Sequence, residues 1–311
     1  MNGTVRRQVD DAVRSWIAAE RGATVLRTRV TRSAYASTAA IFNVHLTLAG
    51  GERTRVVCKD RGHAVMPGFL SNMGREEWMY RCFLGADGIA DAPRLLGSGA
   101  GWLLMEWAGS VDLGQIGSRA VWCEVAARLA RLHAWGESRV EELARGSVVR
   151  WDDPGLHMRF ARRASLSPPL MRRYHEVAQR LYVMPKTLVH GDFNASNVLV
   201  TRSPAGQRIR MIDWETAGVG PGLLDLVSLL SGNLPERHRS EMISAYRANL
   251  ESSRLSAMSA GDFDEALALC RLAQAVRWLG WSPGWSPPAA HAHDWRREAL
   301  MSARQAGLLD P

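Results

Sequence analysis

Lysine is nearly absent from this chain, in which almost all of the basic residues are arginines. Only Lys59 and Lys186 stand among the 39 basic residues. The arginines occur singly or in pairs, without a basic tail or a known DNA- or RNA-binding motif. We therefore expect no nucleic-acid partner, in spite of the formal net charge of +8.

Paired cysteines and long apolar runs are also missing. The four cysteines are scattered, which argues against a zinc site or a disulfide framework and is typical of a reducing cytoplasm. No stretch is long and apolar enough to span a membrane, and residues 1–20 have the pattern of an amphipathic helix without a signal-peptide core. The 311 residues are enough for an enzyme with two hydrophobic cores. The expectation is a cytoplasmic enzyme without a membrane partner; the oligomeric state stays open.

Four polar residues flank two apolar segments that have the pattern of strands. His190, Asp192 and Asn197 precede the first segment, Asp213 follows the second, and the turn Ser203-Pro204-Ala205-Gly206 lies between them. Folded as a hairpin, the two segments would bring Asp192, Asn197 and Asp213 to the same end. Two carboxylates and an amide at one place suit Mg²⁺ and phosphoryl transfer, in which catalysis is mostly positioning and charge neutralisation.

This pattern resembles the aminoglycoside phosphotransferase and choline kinase superfamily. The family motif is His-x-Asp followed five residues later by Asn, then an apolar strand that ends in Asp. The resemblance implies that ATP and Mg²⁺ are the cofactors. It makes Asp192 the catalytic group that orients or deprotonates an acceptor hydroxyl, and makes Asn197 and Asp213 the metal ligands.

The fold class that the resemblance implies is α+β, a protein-kinase-like bilobal fold. A small antiparallel-sheet lobe over residues 1–104 would bind the nucleotide. Residues 105–109 would form the hinge, and residues 110–311 a larger, mainly helical lobe for catalysis and acceptor binding. The resemblance extends from about Thr24 to about Trp278, which is most of the chain.

The first lobe contains candidates for the donor phosphates. Lys59 ends a predicted strand in a chain that otherwise uses arginine, which favours a site that needs a compact ammonium. By resemblance it contacts the phosphates and pairs with a glutamate of the next helix. Glu76 is the preferred partner and Glu77 the alternative. The loop that would cover the phosphates contains no glycine, so the hydroxyls of Ser37 and Thr38 are its candidate phosphate ligands.

The hinge and two supporting residues complete the implied nucleotide and loop sites. The resemblance places adenine at the backbone of Glu106 and Ala108, with Met105 behind the base. His190 and Asp225 are assigned to structural support beneath the catalytic loop, and Asp225 can also cap the helix that it opens.

An aromatic segment near the C-terminus is the candidate for acceptor binding. Trp281, Trp285 and Trp295 can stack on a substrate ring or a cation. The alternative is that these side chains only pack a surface of the lobe. The sequence leaves both open.

The branch of the family that the motif resembles favours an aminoglycoside or another antibiotic as the phosphate acceptor. The region after Asp225 is not notably acidic, however, and a polycationic acceptor usually needs several carboxylates. A metabolite kinase of the choline, homoserine or sugar type is therefore the alternative. The remaining alternative is a non-catalytic nucleotide-binding regulator, which only the glycine-free loop favours.

Overall fold

The computed structural model describes residues 1, 3–33, 39–60, 70, 73–85, 91–203, 206–251, 253–281 and 293–310. The helices of these residues are α1 Gly3–Arg21, α2 Met73–Met79, α3 Arg119–Glu137, α4 Val140–Ala144, α5 Pro154–Arg163, α6 Pro168–Val183, α7 Leu223–Leu230, α8 Glu236–Ala248, α9 Ala260–Trp281 and α10 Trp295–Gln305. The strands are β1 Val25–Arg32, β2 Ala40–Leu48, β3 Arg53–Asp60, β4 Leu95–Gly99, β5 Trp102–Glu106, β6 Val149–Arg150, β7 Lys186–Val189, β8 Val198–Ser203, β9 Gly206–Met211 and β10 Gly218–Pro221. None of the described helices is both long and apolar enough to cross a bilayer.

The chain forms two compact units. The first consists of Met1–Val111 together with Leu199–Glu215, and the second of Asp112–Val198 together with Thr216–Pro311. The hairpin of β8 and β9 predicted between the motif residues is present, and nearly all of it belongs to the first unit.

The first unit is built on a five-stranded antiparallel sheet with the order β1-β2-β3-β5-β4. Helix α1 covers one face because its apolar residues recur every fourth position, which places them on a single stripe. That stripe consists of Val5, Val9, Val13 and Ile17, and it belongs to one buried cluster with Val56 and other inward-facing strand residues. The alternation along β3 therefore turns Lys59 to the opposite face.

The second unit is mainly helical, with a small three-stranded sheet in the order β6-β10-β7. Strand β10 runs parallel to β6 and antiparallel to β7. Helix α7 follows β10 almost directly and is buried along its whole length, because apolar residues fill nearly every position. The candidate catalytic loop begins where β7 ends and contains a short 3₁₀ turn at Ala195–Asn197.

Candidate functional site

In the first unit, a buried ion cluster surrounds Lys59. Its ammonium donates hydrogen bonds to Glu76 Oε2 at 2.8 Å, to Asp213 Oδ1 at 2.6 Å and to Glu215 Oε2 at 3.2 Å. Strand β3 supplies the lysine, α2 supplies Glu76, and the segment after β9 supplies the other two acids. Lys59 is 4% exposed and Glu76 is 1% exposed, so most of this charge is removed from water.

The electrostatics of the cluster keep Lys59 protonated. Burial by itself would lower the pKa of Lys59, but Asp213, Glu76 and Glu215 together raise that pKa well above the ordinary lysine value. The adjacent Glu77 lies outside this cluster: its carboxylate accepts hydrogen bonds from Arg81 Nε at 3.0 Å and Ser98 Oγ at 2.6 Å. Of the two glutamates considered from the sequence, Glu76 is thus the one that contacts the lysine.

The backbone at Asp213 is held in a conformation that L-residues rarely adopt. Its φ is +67°, in the left-handed region, although it is not glycine. Such backbone strain is concentrated at functional sites, where the surrounding structure enforces it. Part of that enforcement comes from Arg75, which donates to the carbonyl of Glu215 at 2.6 Å, and from Trp214 Nε1, which donates to the carbonyl of Met211 at 3.1 Å.

The carboxylates of the cluster fit a hard divalent cation. One oxygen each from Glu76, Asp213 and Glu215 lies within 4.8 Å of the others. Carboxylate oxygens are the ligands that Mg²⁺ prefers. Glu215 was missed from the sequence, although its position two residues after Asp213 was a usable signal. Asn197, the other predicted ligand, is in the second unit. Its Nδ2 donates to the backbone carbonyl of Asp192 at 2.8 Å, which leaves the amide oxygen for a cation.

The residues expected at the hinge lie at the end of β5. Met105 pairs in register with Val57, and the next pair on the same face is Lys59 with Leu103. The N–H of Glu106 donates to the carbonyl of Arg94 at 2.9 Å. The carbonyl of Ala108 accepts from Thr201 Oγ1 at 2.9 Å. The candidate phosphate ligands Ser37 and Thr38 lie outside the described residues.

In the second unit, Asp225 holds the start of the candidate catalytic loop. Its two carboxylate oxygens accept hydrogen bonds from the backbone N–H groups of His190 at 2.6 Å and Gly191 at 2.9 Å. Asp225 is the third residue of α7 and is 1% exposed. Its carboxylate therefore accepts hydrogen bonds from the loop and does not cap its own helix. Gly191 has a φ of +82°, and a Cβ there would lie 2.5 Å from the carbonyl oxygen of Thr216. Only glycine fits this position without strain.

Several donors converge on the carboxylate of Asp192. Asn194 Nδ2 donates to Oδ1 at 2.7 Å, and Asn197 Nδ2 donates to Oδ2 at 3.1 Å. Arg277, from α9, donates through Nη2 to Oδ1 at 3.2 Å and through Nη1 to the carbonyl of Gly191. The Asp192 side chain is 31% exposed, so it remains open to solvent on one side.

Arg277 was not identified from the sequence as a site residue. It stands inside the apolar run Leu272–Leu279 of α9, and a lone arginine in such a run was the available signal. Its contact with Asp192 spans 85 residues of chain, which no local pattern can indicate.

The aromatic residues proposed for acceptor binding are partly brought together. Trp295 stacks on Trp278 with a centroid distance of 5.6 Å and an angle of 14°. Trp281 meets Trp278 edge-on at 5.4 Å. Trp281 and Trp295 both keep some exposure, whereas Trp285 lies outside the described residues. The described part of the cluster therefore packs internally around Trp278 and also presents surface to solvent.

Comparison with known proteins gives one family and a set of similar folds. A family model for a "Phosphotransferase enzyme family" (APH) matches residues 82–263, more than half of the chain. A search of curated proteins gave no match.

Three solved structures illustrate the shared fold. A putative fructosamine-3-kinase from Thermobifida fusca is 18% identical, covers 94% of this chain and 98% of its own, and has a TM-score of 0.60. An ethanolamine kinase from Plasmodium vivax is 13% identical, with coverages of 91% and 84% and a TM-score of 0.60. A spectinomycin phosphotransferase, solved with ADP and spectinomycin, is 12% identical, with coverages of 97% and 94% and a TM-score of 0.51.

These findings confirm three predictions from the sequence: the family, the kinase-like α+β fold class with its antiparallel sheet and helical part, and an enzyme that transfers a phosphoryl group to a small molecule. The roles of the individual site residues, the cofactors and the acceptor are separate questions.

Proposed function

This chain belongs to the phosphotransferase enzyme family, and from that premise we propose that it transfers the γ-phosphoryl group of ATP to a hydroxyl of a small organic molecule. The observation that carries the proposal is the Lys59 cluster. A buried ammonium paired with a glutamate of the next helix, beside an aspartate that can bind the metal, is the arrangement that phosphoryl-transfer enzymes of the kinase type use to place donor phosphates.

The first unit is proposed to hold the nucleotide. Lys59, fixed by Glu76, contacts the donor phosphates, and Met105 packs against the base. Because the Glu106 N–H and the Ala108 carbonyl are already hydrogen-bonded within the unit, the Glu106 carbonyl and the Ala108 N–H are the groups assigned to adenine. Ser37 and Thr38 stay predicted phosphate ligands.

Mg²⁺ is the proposed metal, with Asp213 and Asn197 as its assigned ligands and Glu215 as an additional oxygen donor. When bound, the ion supplies positive charge that offsets the negative charge on the donor phosphates. The chain's own contribution is to hold the segment that carries Asp213 and Glu215: its backbone is left-handed at Asp213, and Arg75 donates to the carbonyl of Glu215.

The second unit is proposed to supply the catalytic group. Asp192 accepts a hydrogen bond from the acceptor hydroxyl and orients the oxygen for attack. Asn194 and Asn197 fix its carboxylate, and Asp225 fixes the backbone immediately before it. These hydrogen bonds hold the carboxylate in one direction, which suits the orientation of an acceptor hydroxyl.

An antibiotic with free hydroxyls, an aminoglycoside or a less cationic compound, is the first proposed acceptor class. A metabolite kinase is the second candidate, and one observation favours it. The guanidinium of Arg277 already pairs with Asp192, so this part of the site carries a resident cation and offers less to a polycationic substrate. Neutral or singly charged acceptors suit that balance of charge.

The test is ADP release from Mg-ATP across a panel of aminoglycosides, spectinomycin, choline, ethanolamine, homoserine, a fructosamine and simple sugars. The matched control is Asp192→Asn, which keeps the shape and removes the charge. We expect at least one acceptor to stimulate release, and we expect the variant to lose at least about a hundredfold in kcat while still binding Mg-ATP. Near-normal turnover by the variant would remove Asp192 from its role. Nucleotide binding without release on any acceptor would favour the non-catalytic regulator.

A further inference from the structure

A single arginine contacts both the backbone and the side chain of the candidate catalytic loop. Arg277 Nη1 donates to the carbonyl of Gly191 and Nη2 donates to Asp192 Oδ1 at 3.2 Å. We propose that Arg277 is a positioning residue that orients the Asp192 carboxylate and fixes it relative to the backbone of Gly191. The proposal rests on the proposed function, because it assumes that Asp192 orients the acceptor hydroxyl.

Burying the guanidinium of Arg277 costs free energy unless its charge is paired and hydrogen-bonded. Its side chain is 14% exposed and projects from α9, where the neighbouring positions carry apolar residues. Burial lowers the pKa of Arg277, while Asp192 and Asp225 act in the opposite direction. An arginine remains a cation at neutral pH even so. A buried positive charge of this kind persists when it is paired and hydrogen-bonded, and here its direct anionic partner is the candidate catalytic group.

Two tryptophans shape the space around the guanidinium. Arg277 lies over the ring of Trp151 at 4.9 Å and near the ring of Trp278 at 5.8 Å from the centroids. Trp151 is itself fixed, because its Nε1 donates to the carbonyl of Thr216 at 3.0 Å. The rings offset part of the lost hydration through cation–π attraction and restrict the rotamers of Arg277. The direction of its two donors is therefore set before any substrate binds.

The fork of the guanidinium explains why this position needs arginine. Two N–H groups on different nitrogens reach two acceptors at once, the carbonyl of Gly191 and a carboxylate oxygen of Asp192. The left-handed φ of +82° at Gly191 fixes the direction of the loop between these two acceptors. A lysine ammonium would keep the charge but lacks the planar fork that holds both groups at a fixed spacing.

Other titratable groups also face this part of the second unit. His190 accepts from the N–H of Asp192 through Nδ1 at 3.3 Å, and Asp225 binds the preceding loop backbone from α7. His157, from α5, donates through Nε2 to the carbonyl of Trp151 at 2.7 Å, and burial lowers the pKa of this histidine, with Arg277 acting in the same direction. Among these groups Arg277 alone adds a permanent positive charge in direct contact with Asp192. Removing it therefore takes away two hydrogen bonds that hold the start of the loop, one at Gly191 and one at Asp192.

The direct test is ¹³C NMR of the full-length protein at one pH, which observes the carbonyl carbon of Gly191 and the carboxyl carbon of Asp192, with Asp192→Asn used to assign the latter. Both signals should move in Arg277→Met, because each oxygen loses a hydrogen bond from the guanidinium. Arg277→Lys should restore the two signals only in part, because an ammonium lacks the planar fork. Arg163→Met is the matched control: Arg163 is a partly buried arginine that donates to the carbonyl of Gly280 at 2.8 Å and so contacts the same helix. It should leave both signals in place.

Turnover separates positioning from simple charge. With an acceptor found in the panel and Mg-ATP, Arg277→Met should lower kcat at least about thirtyfold with little change in the KM for ATP. Arg277→Lys should recover only part of kcat, because it restores the charge without the fork. A merely structural role would change stability and leave the kcat of the folded variant unchanged.

The outcomes distinguish this inference from the proposed function. Gly191 and Asp192 signals that do not move in folded Arg277→Met, or a kcat equal to that of the unaltered chain, overturn the role of Arg277. If Arg277→Met does not fold, the same comparison is made with Arg277→Lys, whose unreduced kcat would also overturn it. Moved signals in a chain that phosphorylates no acceptor would leave the contact between Arg277 and Asp192 intact and contradict the proposed function instead.

Discussion

Replacing Lys59 by methionine removes the ammonium that Glu76, Asp213 and Glu215 share. Glu76 is 1% exposed, so its carboxylate would be left buried and uncompensated, whereas the Asp213 and Glu215 side chains are 29% and 16% exposed and can turn to water. Removing one partner of a buried ion pair costs about 3–5 kcal/mol. We expect the free energy of unfolding of Lys59→Met at pH 7 to fall by that amount, and most of the loss to come from Glu76.

The sign of the pH dependence follows from the same contacts. In the unaltered chain the pKa of Lys59 is raised, so its contribution to stability is fully present below the unfolded lysine pKa of about 10.4 and is lost only as the pH rises through the folded value. In Lys59→Met the buried Glu76 has lost its cation and binds a proton more readily when folded than when unfolded. The stability of the variant should therefore rise as the pH falls from 7 to 5.5, which partly reverses the loss.

The assay is urea unfolding at pH 7.0 and pH 5.5, with two further variants. Lys186→Met is the matched control, because it removes the chain's other lysine, whose ion pair with Asp152 is 27% exposed on the lysine side. It should cost about 1 kcal/mol or less. Adding Glu76→Gln to Lys59→Met should recover part of the lost stability. A loss below about 1 kcal/mol for Lys59→Met, or a loss that is the same at both pH values, would refute this account of the cluster.

Two further predictions concern the second unit. Gly191→Ala should lower kcat at least tenfold and destabilise the fold by about 1–3 kcal/mol. The new Cβ would lie 2.5 Å from the carbonyl oxygen of Thr216, and the φ of Gly191 is one that alanine adopts only with strain. Kinetics and thermal unfolding measure these effects, and a variant of normal activity would contradict the prediction. Asp152→Asn should destabilise the fold by about 2 kcal/mol at pH 7, because the buried Asp152 loses its charged hydrogen bonds with Arg150 and Lys186, which are partly exposed and can turn to water. Burial opposes ionisation of Asp152, but these two cations lower its pKa, so its contribution is present above the unfolded aspartate pKa of about 3.9 and is lost as the pH falls through the folded value. The difference in free energy of unfolding between the unaltered chain and Asp152→Asn should therefore be smaller at pH 3 than at pH 7. A difference that is the same at both pH values would count against the ion pairs.

The parts of the site that were predictable from the sequence are those encoded by short spacings. The order His190, Asp192, Asn197 and the hairpin that follows are local, since each element forms from neighbours within a few residues. The rarity of lysine made Lys59 conspicuous, and the helical position of Glu76 made it a candidate partner. These features require little more than strand alternation and helix periodicity.

The features that escaped prediction depend on contacts between distant segments. Arg277 reaches Asp192 across 85 residues, and Arg75 reaches the carbonyl of Glu215 across 140 residues. The apolar surroundings of Arg277 in the sequence mark it as unusual but do not indicate its partner, and nothing around Arg75 distinguishes it from the other arginines of the chain. The grouping of Leu199–Glu215 with the first unit is a further example, because it follows from packing and not from chain order.

The most direct test of the central proposal is ³¹P NMR of the chain with Mg-ATP and the acceptor panel. Phosphoryl transfer predicts a new phosphomonoester resonance that grows in proportion to ADP and disappears when Asp192→Asn is used. ADP that accumulates only with inorganic phosphate, or a phosphomonoester that persists in the variant at an unchanged rate, would contradict it.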